Sequence, residues 1–187
     1  MTNKRIGVCC IYCNYKERQT ATSLLSSLIQ QLLQQLSTIP EHIKSVYENH
    51  SERRTRPGRV ECGDILHHLL GSFSQTFLVV DALDEYGEVT TREFIKSIIA
   101  LPLVHILIFS RDVPYVERHL SSCPRLDVYA SADDIRNYVE AGMQDGAELA
   151  DFVEEDKALH DKILATVVQR SCGMPVKIFR FPVAETC

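Results

Sequence analysis

The stretch Thr76-Phe77-Leu78-Val79-Val80-Asp81-Ala82-Leu83-Asp84-Glu85-Tyr86 decides the reading of the fold. Its first half is a short apolar run without polar alternation. Such a run predicts a strand buried on both faces, as in a parallel sheet. Asp81 falls where that strand ends, and Asp84 and Glu85 fall on the loop beyond it. In open parallel α/β sheets, ligands bind outside the carboxyl ends of the strands. Three acids at that edge suit a hard cation such as Mg²⁺, which takes oxygen ligands and keeps water and phosphates in its shell. The plainer alternative is a strand followed by an acidic, solvated turn.

Working outward, Thr90-Thr91-Arg92-Glu93 reads as a capping box leading a helix with Phe94, Ile95, Ile98 and Ile99. Residues 104–109 form another unalternating run that ends at Ser110-Arg111. The forked guanidinium of Arg111 suits a phosphate, or equally an acid such as Asp112. Upstream, residues 64–73 show helical spacing through Ile65, Leu66, Leu69, Leu70 and Phe73, with His67 and His68 on the other face. Adjacent helical residues point about 100° apart, so this pair does not share a ligand direction. Residues 51–59 carry Arg53, Arg54, Arg56 and Arg59 around Pro57 and Gly58, and predict a solvated basic loop.

Further out, a second apolar run at residues 6–12 predicts a strand. Thr20 or Thr22 can cap the helix that follows, whose Leu24, Leu25, Leu28, Ile29, Leu32, Leu33 and Leu36 make one apolar stripe. Gln30, Gln31, Gln34 and Gln35 fall on the opposite face. Ile39-Pro40 ends this helix, and a poorer one covers residues 41–49. Beyond the run at 104–109, residues 114–120 read as a short helix and 126–129 as a fourth strand. Ser131 to Asp134 forms a second capping box ahead of Ile135, Tyr138, Val139 and Met143. Residues 144–155 are acidic and irregular, and 159–168 return to helical spacing. From Pro175 the pattern breaks, and the tail 175–187 is not expected to pack with the rest.

The chain has 187 residues, enough for one domain with a sizeable core. Its net charge of −5 offers no basic face for nucleic acid. No apolar run approaches the roughly 20 residues of a membrane span, and the first residues are too short an apolar segment for a signal peptide. These features predict a cytoplasmic protein with no membrane contact. Seven cysteines show no disulfide framework. On a strand, Cys10 and Cys13 of the C-x-x-C would point to opposite faces, so buried free thiols are expected.

The form hhhhD-A-L-D-E resembles the Walker B segment of P-loop NTPases, in the variant carried by NACHT domains of the STAND class. The similarity is closest to the NACHT modules of nephrocystin-like, repeat-bearing proteins. It extends to Ile11-Tyr12-Cys13-Asn14-Tyr15 with Gln19-Thr20, to Ile106 through Arg111, to Asp134 through Val139, and to Cys172-Gly173-Met174. It covers roughly residues 6–174. The resemblance implies a three-layer α/β P-loop NTPase-like fold with a parallel sheet, Walker B at 76–85 and a sensor strand at 104–111. It implies that Asp81 holds Mg²⁺ through water, that Asp84 or Glu85 orients the attacking water, and that Ser110 or Arg111 senses the γ-phosphate of ATP or GTP.

Such an NTPase needs a glycine-rich loop whose N–H groups and Lys hold the phosphates. No G-x-x-x-x-G-K-[ST] occurs in these 187 residues. In relatives it lies just upstream of the strand that starts near Ile6, so the expectation is a partial NACHT module lacking its first, P-loop strand. Nucleotide affinity is then at best millimolar, about −4 kcal/mol. Hydrolysis by this chain alone is not expected, and neither is a bound cofactor. Two alternatives are a switch whose P-loop comes from another chain, and an unrelated Mg²⁺ enzyme. The latter predicts a D-x-D motif or an early acidic pair with a later Lys and Thr, and the sequence has neither. Expected partners are other proteins or the missing parts of its own module. A missing strand would leave the edge of 104–109 unpaired and prone to self-association, or force the short fourth strand to move across.

Overall fold

The computed structural model describes residues 5–17, 19–145, 155–171 and 176–181. Strand β1 (Arg5–Tyr12) leads to helices α1 (Ala21–Gln34), α2 (Glu41–Arg53) and α3 (Arg59–Leu70). Strand β2 (Phe73–Asp81) follows, then a 3-10 turn at Leu83–Glu85, helix α4 (Glu88–Ile99), strand β3 (Val104–Ser110) and helix α5 (Pro114–Leu120). Strand β4 (Arg125–Val128), helices α6 (Ala132–Asp145) and α7 (Lys157–Ser171), and strand β5 (Val176–Phe181) complete the order. The chain divides into two compact units. One holds the described residues of Met1–Leu126 and Lys177–Cys187, and the other those of Asp127–Val176.

The protein is α/β. Strands β1, β2 and β3 are parallel, with Val8 opposite Phe77 and Leu78 opposite Ile106. The sheet order is β1-β2-β3-β5-β4. The four expected strands share this sheet, three of them parallel, and the correction concerns the tail, which supplies a fifth strand. Strand β5 lies between β3 and β4 and runs antiparallel to β3, with Ile108 opposite Phe179. The tail therefore contributes a strand, and the backbone of Ile106–Ser110 is paired rather than left as an open edge. The residues Val-Lys-Ile-Phe-Arg-Phe of β5 are rich in strand formers, and an edge of unpaired N–H and C=O groups accepts them readily.

Burial alternates along the strands. Cys9, Ile11, Leu78, Val80, Ile106 and Ile108 join one core with Leu24, Leu25 and Leu28 of α1, Leu66 and Leu69 of α3, Phe94 of α4 and Val116 of α5. The residues between them face the other side and stay open at β1, where Ile6 is 56% and Val8 54% exposed. Two-sided burial of the apolar runs is thus corrected: a continuous apolar run permits burial on both faces but does not enforce it. Gly7 lets the sheet close tightly, since a Cβ there would sit 3.0 Å from the Phe73 ring.

Strand β1 is the outer strand of the sheet, and α1 closes its free edge. Gln31 accepts from the Cys10 N–H (2.9 Å) and donates to the Cys10 carbonyl (2.8 Å). Gln35 does the same for Val8, at 3.0 and 2.6 Å. These glutamines are not on a merely solvated face, as their spacing suggested. A primary amide presents an N–H donor beside a carbonyl acceptor, so each replaces one residue of a missing neighbour strand. Thr20 caps α1 through a reciprocal box with Ser23. Helix α3 starts earlier than its apolar spacing indicated, and Phe73 opens β2 instead of closing the helix. Helix α4 is capped at Gly87, not Thr90. Thr91 is buried and donates to the Tyr86 carbonyl. In the second unit, Met143 and Leu164 pack with Val139 and Ile163. Ser131 and Asp134 form the expected capping box.

Candidate functional site

The parallel arrangement brings the carboxyl ends of β2 and β3 side by side, and the candidate residues with them. Chain direction reverses after Asp81 through Ala82, which sits in the left-handed region at φ 54°. For a residue with a Cβ this conformation costs roughly 1–2 kcal/mol. The turn it produces swings Asp84 back toward the end of β3. The Asp84 side chain is 2% exposed, yet it carries an ionisable group. Burial of a carboxylate is tolerated only with partners. It accepts from the Arg111 backbone N–H (2.9 Å), from Arg111 Nε (2.6 Å) and from the Ser110 hydroxyl (3.3 Å). Arg111 also donates from Nη2 to Glu85 at 2.7 Å. The guanidinium itself is 62% exposed, so one side of the cluster faces solvent.

Of the predicted residues, Asp84, Glu85, Ser110 and Arg111 form one network. Arg111 forms ion pairs with both loop acids. Hydrogen bonding to Asp84, then its charge, hold the guanidinium pKa above its ordinary value. Asp81 stands apart. It ends β2 opposite Tyr12, its carbonyl accepts from the Cys13 N–H at 3.0 Å, and its carboxylate makes no hydrogen bond among the described residues.

Three further side chains, none of them among the predicted site residues, complete the edge. The Tyr115 hydroxyl lies 2.8 Å from the carbonyls of both Asp84 and Tyr86, pinning the first turn of α5 over the acidic loop. The Tyr86 hydroxyl donates to Gln19 at 3.0 Å, tying the same loop to the segment before α1. Cys13 is buried beneath the acids. Burial first, then the charges of Asp81, Asp84 and Glu85, push its thiol up to about 12. Burial also pushes Tyr86 up to about 12. The Pro at the start of α5 was the one available signal for Tyr115, because it fixes where that helix begins. Cys13 is the buried free thiol expected there, while its place under the acids and that of Tyr86 depend on the packing of distant segments.

Among the described residues, no three His, Cys, Asp or Glu side chains are grouped to hold a metal ion. Asp81, whose carboxylate makes no hydrogen bond among the described residues, could offer one oxygen to a cation, and no second acid joins it in such a group. Asp84 and Glu85 have oxygens committed to Arg111, and no backbone cradle for phosphates is present among the described residues. These residues by themselves do not fit a Mg²⁺–nucleotide. Cys9, Cys10, Cys13, Cys62 and Cys123 are free thiols. Among the described residues, no helix is long and apolar enough to cross a membrane. In comparisons with known proteins, the family described as Nephrocystin 3, N-terminal matches residues 1–111. That span contains β1 through the Arg111 network, while the blocks at 134–139 and 172–174 lie beyond it. No curated protein and no solved structure matches.

Proposed function

The chain belongs to the nephrocystin 3 N-terminal family, and from that premise we propose that it is a NACHT-like module of a STAND-class signalling or scaffold protein. It acts through protein contacts and hydrolyses little or no nucleotide by itself. The observation that carries this reading is the Arg111 network. In a nucleotide-responsive fold, an arginine at the end of a sensor strand reads a γ-phosphate. Here its fork is closed on Asp84 and Glu85. A phosphate brought to this edge would compete with those carboxylates for the same donors, which is the electrostatic form of a two-state switch. The free carboxylate of Asp81 supports a Mg²⁺ role once phosphates are supplied. The partners we propose are other proteins and further parts of the same module. The exposed Ile6, Val8 and Tyr12 on one sheet face support protein contact, including self-association. The net charge of −5 disfavours nucleic acid. A cytoplasmic location accords with free thiols in a chain without a disulfide framework.

The test is steady-state ATP and GTP hydrolysis with Mg²⁺, using the 187-residue chain. The expected result is no turnover, because phosphate positioning supplies nearly all the catalysis of such sites. Turnover abolished by Asp81→Ala would overturn it. Turnover that appears only when a fragment bearing G-x-x-x-x-G-K-[ST] is added would instead favour a P-loop supplied by another chain.

A further inference from the structure

Helices α1, α2 and α3 and the loop at residues 55–57 line a half-open cavity of about 370 Å³, made by residues other than those of the acidic edge. Its volume lies within the range of about 300–1,000 Å³ usual for small-molecule sites. Helix α2 creates it. That helix is largely polar and buries only Ile43, so it stands off α1 and α3 instead of packing onto them. The walls are Ile29 and Leu33 of α1, Ile43 and Val46 of α2, and Cys62 and Ile65 of α3. A second hollow shares Ser26, Ile29 and Leu33 and continues the apolar surface to Leu36 and Ile39.

The mouth is built by the arginine-rich segment. Arg54 takes the left-handed conformation at φ 52° and ends α2. Thr55 then donates its N–H back to the His50 carbonyl at 3.0 Å, which turns the loop over the cavity. His50 spans the gap, 2.7 Å from the Thr55 hydroxyl and 2.9 Å from Glu61. Glu61 thus has a partner in His50, while the exposed Arg56 lines the cavity and makes no ion pair among the described residues. An apolar channel with an uncompensated cation at one end, on a chain of net charge −5, selects by complementarity.

We propose that this cavity binds a single-chain anionic amphiphile. Its hydrocarbon lies along Ile29, Leu33, Ile43 and Val46, and its anionic head meets Arg56. Each buried methylene adds about 0.8 kcal/mol, so a chain of medium length suffices for specific binding. This reading does not depend on any nucleotide chemistry.

The experiment titrates the 187-residue chain with dodecanoate, below its micelle concentration, by calorimetry and by amide chemical shifts. Dodecyltrimethylammonium serves as the cationic counterpart of equal chain length. Saturable one-site binding of dodecanoate is expected, with shifts at Ile43, Val46 and Arg56, and at least tenfold weaker binding of the cationic probe. Arg56→Glu, on an exposed loop, is expected to weaken dodecanoate about tenfold and to narrow or invert the preference. Val46→Trp fills the cavity and is expected to abolish binding of both probes. Equal affinity for both probes, insensitivity to Arg56→Glu, shifts confined to other parts of the chain, or no saturable binding would each overturn the proposal.

Discussion

Arg111 Nε donates to Asp84 Oδ2 across 2.6 Å, joining a largely exposed cation to a carboxylate whose side chain is 2% exposed. The asymmetry sets what each residue contributes. The arginine is solvated with or without its partner, whereas Asp84 has exchanged water for protein donors.

Arg111→Ala is therefore expected to destabilise the chain by about 1–2 kcal/mol. The figure is below that of a fully buried pair because the guanidinium is open to solvent, and because the Arg111 N–H and Ser110 still serve Asp84. Arg111→Lys is expected to recover only part of the loss, since an ammonium cannot fork between Asp84 and Glu85. Urea melts of the three proteins check this. Equal midpoints for wild type and Arg111→Ala would show the network to be energetically idle.

The amides of Gln31 and Gln35 substitute for a strand beside β1. Replacing both with Ala leaves the edge groups of Val8 and Cys10 to water or to another chain. A loss of roughly 1–3 kcal/mol is expected, with concentration-dependent association. Single replacement of Gln30, which makes no such bonds, is the control. Sedimentation of the double variant as a monomer at every concentration would contradict the edge argument.

Ala82 occupies the left-handed region at φ 54° on the turn that delivers Asp84. Glycine adopts this conformation without the Cβ penalty. Ala82→Gly is expected to stabilise by about 0.5–1 kcal/mol, after the greater entropy of glycine in the unfolded chain is deducted. Thermal melts decide it, and a clear loss would mean that the methyl group makes contacts worth more than the strain.

Burial raises the thiols of Cys9 and Cys13 from 9.0 to about 12. Below pH 9 both are protonated in the folded and unfolded chain, and pH does not act through them. Between pH 9 and about 12 the unfolded chain loses protons that the folded chain retains. Stability is thus expected to fall across that window, by up to about 1.4 kcal/mol per pH unit for each group. Chemical melts from pH 8 to 11 measure the slope. It is expected to be shallower in Cys9→Ala/Cys13→Ala, and an unchanged slope would remove these thiols as its cause. Folded protein at pH 8.5 should also alkylate slowly at both positions.

The sequence by itself determined the order of the first elements and the edge at which the candidate chemistry gathers. Apolar periodicity placed α1 closely, Pro114 placed the start of α5, and the unalternating runs around Val79 and Ile108 are strands as predicted. A strand that ends in acids and a strand that ends in Ser-Arg put those groups at one edge once the sheet is parallel. Only the tertiary structure decided who pairs with whom. Arg111 could have met Asp112 or a phosphate, and it meets Asp84 because Ala82 turns the chain back. Gln31 and Gln35 looked solvated, and they close an edge because α1 lies along β1. The tail looked unpatterned, yet Val176–Phe181 joins β3 in an orientation that no local spacing encodes. The reason is physical. Periodicity reports which side of an element avoids water, a property of neighbours along the chain. Hydrogen-bond partners and strand neighbours are set by free energies between segments far apart in sequence, and these are defined only after the segments have packed.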